Sequence, residues 1–130
     1  MRLLVDADIL IGALDSSDAH HDRSRELFVL ARKRQDQLSI SLVNLTEVLI
    51  APAADASRLA AAREAIAALG IAIHQPSEAI AVDAARLRGH HPISLPDAYL
   101  LATAKHTGST IASFDRKVRD AAEREGLITA

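Results

Sequence analysis

Residues 2–10 read RLLVDADIL, and the fold turns on how that stretch is taken. Leu3, Leu4 and Val5 form a short apolar run without a helical period, which predicts a buried strand over residues 3–6. Asp6 closes that strand, and Asp8 stands near the start of a short helix expected to reach residue 14, slightly weakened by Gly12. A carboxylate placed in a core is costly unless something pairs with it. Two readings are open for this pair: the acids cap the helix, or they hold a cation.

Further along, short apolar runs predict strands over 38–41, 71–74 and 110–112, with a short last strand as a candidate over 127–129. Between them, amphipathic or alanine-rich segments predict helices over 20–34, 44–50, 57–69, 76–88, 96–106 and 116–125. Gly70, Gly89, Gly108 and Gly126 are read as stop signals just past helix ends. Strands alternating with helices argue for an α/β domain, a parallel sheet covered on both faces. No repeat or linker divides it, so residues 1–130 are expected to form one domain.

Apolar residues make up 49% of the 130 and charged residues 25%, enough for a core of its own. The absence of cysteine excludes disulfides, zinc–thiolate sites and cysteine nucleophiles, and fits a reducing cytoplasm. No basic region followed by a long apolar run marks a signal peptide, and no stretch has the length to span a bilayer. The formal net charge of −2 is not that of a generic nucleic-acid binder. Discounting four acids on a metal, however, leaves a remainder that is net positive. Aromatics are only Phe28, Tyr99 and Phe114, too few for a base-stacking sheet, so any nucleic acid would be held mainly by its phosphates.

Asp6 ends the first strand, Glu47 lies on the helix after the second, Asp97 is in the first turn of its helix, and Asp115 follows the fourth strand. Open parallel sheets bind ligands at the carboxyl ends of their strands, where strand order reverses. Asp6 and Asp115 belong to that edge by sequence alone. Singly, each acid has a plainer reading: Asp8 and Asp115 as N-caps, Asn44-Leu-Thr-Glu47 as a capping box, and Ser94-Leu-Pro-Asp97 as another. Together, several carboxylates at one edge repel each other unless a hard cation neutralises them. An all-oxygen pocket suits Mg²⁺ or Mn²⁺ better than Zn²⁺, and the chemistry that follows is metal-assisted phosphodiester hydrolysis.

The segments VDADILIGAL, SLVNLTEVL, LPDAYLLATAKHTG and IASFDRKV, in this order and spacing, resemble the PIN-domain ribonuclease toxins of the VapBC type. The resemblance implies a PIN-like three-layer α/β/α sandwich with a central, mostly parallel sheet of four to five strands. It implies a Mg²⁺- or Mn²⁺-dependent endoribonuclease in which metal-activated water attacks an RNA phosphodiester, leaving a 5′-phosphate and a 3′-hydroxyl. The family's four acids fall on Asp6, Glu47, Asp97 and Asp115, as catalytic residues and metal ligands. Asp8 and Ser113 fall behind them, orienting ligands or substrate; Asp8 departs from the Ser, Thr or Asn more usual there, and Phe114 replaces a small polar residue. The resemblance also implies a homodimer and a cognate antitoxin as partner.

Besides a PIN nuclease outside any toxin pair, two other readings compete. Asp6-x-Asp8 after an apolar strand also opens the haloacid-dehalogenase phosphatases, with Asp6 as nucleophile, although no later Gly-Asp-x-x-x-Asp follows. A non-catalytic PIN-like module for binding RNA or protein is the other. Arg116, Lys117 and Arg119 are candidate contacts to RNA phosphates, set against an ordinary solvated helix face. The histidine pairs at 20–21 and 90–91 are expected to be exposed and structurally unimportant, and Tyr99 to serve packing.

Overall fold

A computed structural model describes all residues, Met1–Ala130. The elements in chain order are β1 (Arg2–Val5), α1 (Ala7–Leu14), α2 (His21–Arg34), β2 (Gln37–Ser41), α3 (Leu42–Leu49), a 3₁₀ turn (Pro52–Ala54), α4 (Ala56–Ala68), β3 (Ala72–His74), α5 (Glu78–His90), α6 (Leu95–Thr107), β4 (Thr110–Ala112) and α7 (Arg116–Arg124). The four strands form one sheet in the order β3-β2-β1-β4, and every pairing is parallel. The tail expected as a last strand makes only one parallel bridge, Ile111 with Thr129.

The central strand explains the layering. Side chains alternate across a strand, so Leu4 enters one core while Leu3 and Val5 enter the other. The first core joins Leu4 and Ile111 to Ile80, Leu87, Leu100, Leu101 and Val118 of α5, α6 and α7. The second joins Leu3, Val5 and Ile40 to Ile9, Leu10, Phe28, Leu45, Val48 and Ile66 of α1 to α4. A sheet packed on both faces needs apolar residues at consecutive positions, which is why β1 carries no polar alternation. The result is the α/β/α sandwich expected from the sequence. No helix is long and apolar enough to cross a membrane.

Two glycines differ from their expected roles. Gly89 lies inside α5, which continues to His90 and closes with the His91 amide donating to Leu87 O. Gly12 does more than weaken α1: a Cβ there would collide with the Ser24 hydroxyl, so glycine lets α1 and α2 approach closely. Gly108 does end α6, at φ 65°, in the left-handed region.

Candidate active site

β1 has β2 on one side and β4 on the other, so strand order reverses between β1 and β4. The crevice outside the carboxyl ends of these strands is the expected ligand position in a parallel sheet. Asp6 leaves β1 there, its amide donating to Ala112 O at 2.8 Å, and Ser113-Phe114-Asp115 leave β4 beside it.

Asp6 is buried, 5% exposed. It is also the N-cap of α1, accepting from the Ala7 amide at 2.7 Å. Capping therefore belongs to Asp6 and not to Asp8, because the strand passes into the helix without a loop. The other Asp6 oxygen accepts from the Ser113 hydroxyl at 2.6 Å, and Ser113 Oγ in turn accepts from the Asp115 amide at 3.1 Å. Burial pushes the Asp6 carboxyl up to about 7, with the charges of Asp8 and Asp97 adding to it and the two hydrogen bonds opposing it.

Asp8 sits in the first turn of α1 and accepts from the Phe114 amide at 3.0 Å, tying α1 to the β4–α7 connection. Its Oδ1 is buried without a partner. Burial raises this carboxyl as well, and Asp115 adds repulsion, against the Phe114 and Ile9 amides and the nearby His20. Asp115 is exposed and caps α7 by accepting from the Lys117 amide at 2.9 Å.

Glu47 comes from α3 and Asp97 from the first turn of α6. The capping box expected at Asn44–Glu47 does not form, because α3 begins directly after β2 at Leu42 and puts Asn44 inside the helix. Asn44 is fully buried, and its amide nitrogen donates to Glu47 Oε1 at 3.1 Å and to Pro96 O at 3.3 Å. One side chain thus links Glu47 to the residue preceding Asp97. The Ser94–Asp97 capping box does form and fixes the start of α6. Burial raises the Glu47 carboxyl, Asp97 adds to the rise, and the Asn44 bond opposes it. Asp97 adds a like charge that raises both Asp6 and Glu47.

As placed, no three acidic or histidine side chains stand together closely enough to hold an ion among them. The residues nonetheless fit a hard divalent cation. The donors are all oxygen, Asp8 Oδ1 and Asn44 Oδ1 are buried and unpaired, and Asp6 is buried among like charges. An open arrangement suits Mg²⁺, which keeps several waters and takes few carboxylates.

Among the cations, Arg116 and Lys117 are exposed, while Arg119 donates to Ser113 O and Ala130 O. Of the paired histidines, His90 is exposed as expected, while the other three are half-buried and engaged. His91 Nε2 lies 2.7 Å from Glu125, His21 Nδ1 lies 2.8 Å from Gly12 O, and the His20 ring stacks on Phe114 at 4.4 Å. Each is fixed by a residue distant in sequence, so adjacency within a pair was no guide. Arg23, whose guanidinium lies 4.6 Å from the Phe114 ring centre, carries no sequence signal of its own, and Asn44 and His20 stand out in the sequence only as parts of a capping box and a histidine pair. Tyr99 packs against the core as expected.

The family model for the PIN domain matches residues 3–124. A search of curated proteins finds no match. Among solved structures, the chain is similar to VapC20 of Mycobacterium tuberculosis, a sarcin-ricin loop cleaving toxin, at 15% identity and TM-score 0.78, covering 98% of each chain. It is similar to VapBC2 of Rickettsia felis bound to a promoter DNA fragment, at 15% identity and TM-score 0.80, covering 100% of this chain and 98% of that one. A toxin–antitoxin complex from Klebsiella pneumoniae is similar at 26% identity and TM-score 0.71, over 98% and 96%.

Proposed function

The chain belongs to the PIN-domain family, and from that premise we propose that it is a Mg²⁺- or Mn²⁺-dependent endoribonuclease, the toxin of a type II toxin–antitoxin pair. The observation that carries this reading is Asp6: a buried carboxyl at the switch point, raised to about 7, facing further acids and no cation of the chain.

Asp6, Asp97, Asp115 and Glu47 would hold the ion, with Asp8 and Ser113 supporting them. When bound, such an ion lowers the pKa of a water and offsets charge building on a phosphate. The chain supplies the rest. Ser113 orients the Asp6 carboxylate and, through the Asp115 amide, the start of α7. Glu47 Oε1 is held by Asn44, so Oε2 would be the atom left to hold the ion or orient an attacking water.

The cognate antitoxin and a second copy of the chain are the proposed partners, acting in the cytoplasm. Toxin–antitoxin complexes among the similar structures support the first. Exposed Leu42 and Leu95, which open α3 and α6, offer apolar surface for either. The phosphatase reading is left without a family once the PIN model spans the chain.

End-labelled total RNA tests the proposal, incubated with wild type and with Asp97→Asn, in Mg²⁺ and in EDTA. Discrete cuts only for wild type in Mg²⁺ support it. Cutting that persists in Asp97→Asn or in EDTA overturns it, and RNA binding without any cutting favours the non-catalytic module.

A further inference from the structure

A cleft of about 470 Å³ runs between α2, the amino end of β1 and the β4–α7 connection, and meets the acidic edge at Ser113 and Phe114. Arg23, Arg34 and Arg119 line it, together with Ser113 and Phe114. Phe114 sits between Ser113 and Asp115 in sequence, and its amide is held by Asp8, so its ring stands at the rim of the acidic edge. His20 stacks on that ring with planes 24° apart. Arg23 lies against the same ring and forms no salt bridge or hydrogen bond through its side chain.

An arginine held over an aromatic face is positioned without spending its N–H donors. Planar guanidinium groups match phosphate oxygens in pairs. The cleft holds three arginines against two acids, Glu26 and Asp36. A cation on free donors, fixed next to a carboxylate site, is the arrangement needed to seat one phosphate of a chain whose neighbouring phosphate is being cut.

We infer that this cleft is a subsite for single-stranded RNA next to the scissile bond, with Arg23 binding the adjacent phosphate and Phe114 acting as a positioning residue for Arg23. The inference rests on the ribonuclease reading and deepens it. It moves the main phosphate contact from α7, where Arg119 is already committed to two carbonyls, to the start of α2.

The test is fluorescence anisotropy of a 5′-labelled single-stranded RNA with Asp97→Asn protein, which keeps the RNA whole, across a KCl series. Adding Arg23→Ala should weaken binding about 5-fold and flatten the salt dependence by about one phosphate contact. Arg23→Lys should keep the salt dependence and recover part of the affinity. Phe114→Leu, which preserves packing, should weaken binding about 2-fold alone and add nothing to Arg23→Ala. In protein with Asp97 intact, Arg23→Ala should raise KM and leave kcat near wild type. Arg63→Ala, on α4 outside the cleft, should do none of this. Unchanged binding and salt slope in Arg23→Ala overturns the subsite, as does a total absence of RNA binding. Independent, multiplying effects of the two substitutions overturn the role of Phe114. If wild type cuts no RNA while Arg23→Ala still weakens binding, the nuclease reading fails and the subsite stands.

Discussion

Acids occupy two regions of this molecule and are treated in opposite ways. Where α5, α6 and α7 meet, Glu125 pairs with His91 at 2.7 Å and Lys105 at 3.1 Å, and Asp83 pairs with Arg86 at 2.9 Å and His106 at 2.7 Å. Their partners hold both carboxyls below the usual carboxylate range. At the switch point, Asp6, Asp8 and Glu47 have no lysine or arginine partner, and all three carboxyls are raised. The chain neutralises the first set itself. The second set is buried more deeply and left uncompensated, which is costly to the fold and explicable if something outside the chain supplies the charge.

The largest effect that could break this contrast is at Asp6. Asp6→Asn should abolish RNA cleavage while leaving the melting temperature equal to or above that of wild type at alkaline pH, because it removes a buried like charge. Loss of folding in this variant would make Asp6 a structural acid like Glu125. Next comes pH. A carboxyl whose folded pKa is raised binds its proton more tightly when folded, so Asp6 favours folding at low pH and that contribution is lost as pH rises from about 4 to about 7. Taken alone, the loss reaches roughly 4 kcal/mol in metal-free protein. Glu125 and Asp83 run the other way, contributing stability above the unfolded carboxylate pKa that is lost as pH falls. Denaturant titrations of metal-free protein across pH should show this loss in wild type and a smaller one in Asp6→Asn, where the raised Asp8 and Glu47 carboxyls still contribute.

Asn44→Ala comes third. It frees Glu47 and the Pro96 carbonyl together, so cleavage should fall about 10–100-fold, with a stability loss of about 1–3 kcal/mol. Cleavage assays beside melting curves check both. The smallest effect belongs to the neutralised region: Glu125→Gln should cost about 1 kcal/mol or less by thermal melting and leave cleavage unchanged.

How much of this was legible in the sequence follows from how local each feature is. RLLVDADIL announced a central strand because burial on both faces leaves no polar alternation, and the acid ending it had to sit at the carboxyl edge. Asp115 followed from the same logic after β4. The Ser94–Asp97 box was legible because its bonds lie within four residues. The link between Glu47 and the start of α6 was not, since it runs through Asn44 to a carbonyl 52 residues away. Helix α3 starting without a loop hid Asn44 inside it, and the same direct passage from β1 made Asp6 both cap and buried acid. The stack of His20, Phe114 and Arg23 depends on two segments about ninety residues apart meeting at one rim, which no spacing rule encodes.

Calorimetric titration of Mg²⁺ into metal-free protein at neutral pH, in buffers of different ionisation enthalpy, tests the central claim most directly. A cation that takes up the uncompensated acids must displace the proton Asp6 holds near pH 7. Wild type should bind with proton release, and Asp6→Asn should bind weakly or not at all and release none. Equal binding by both proteins, or binding without proton release, would contradict the account.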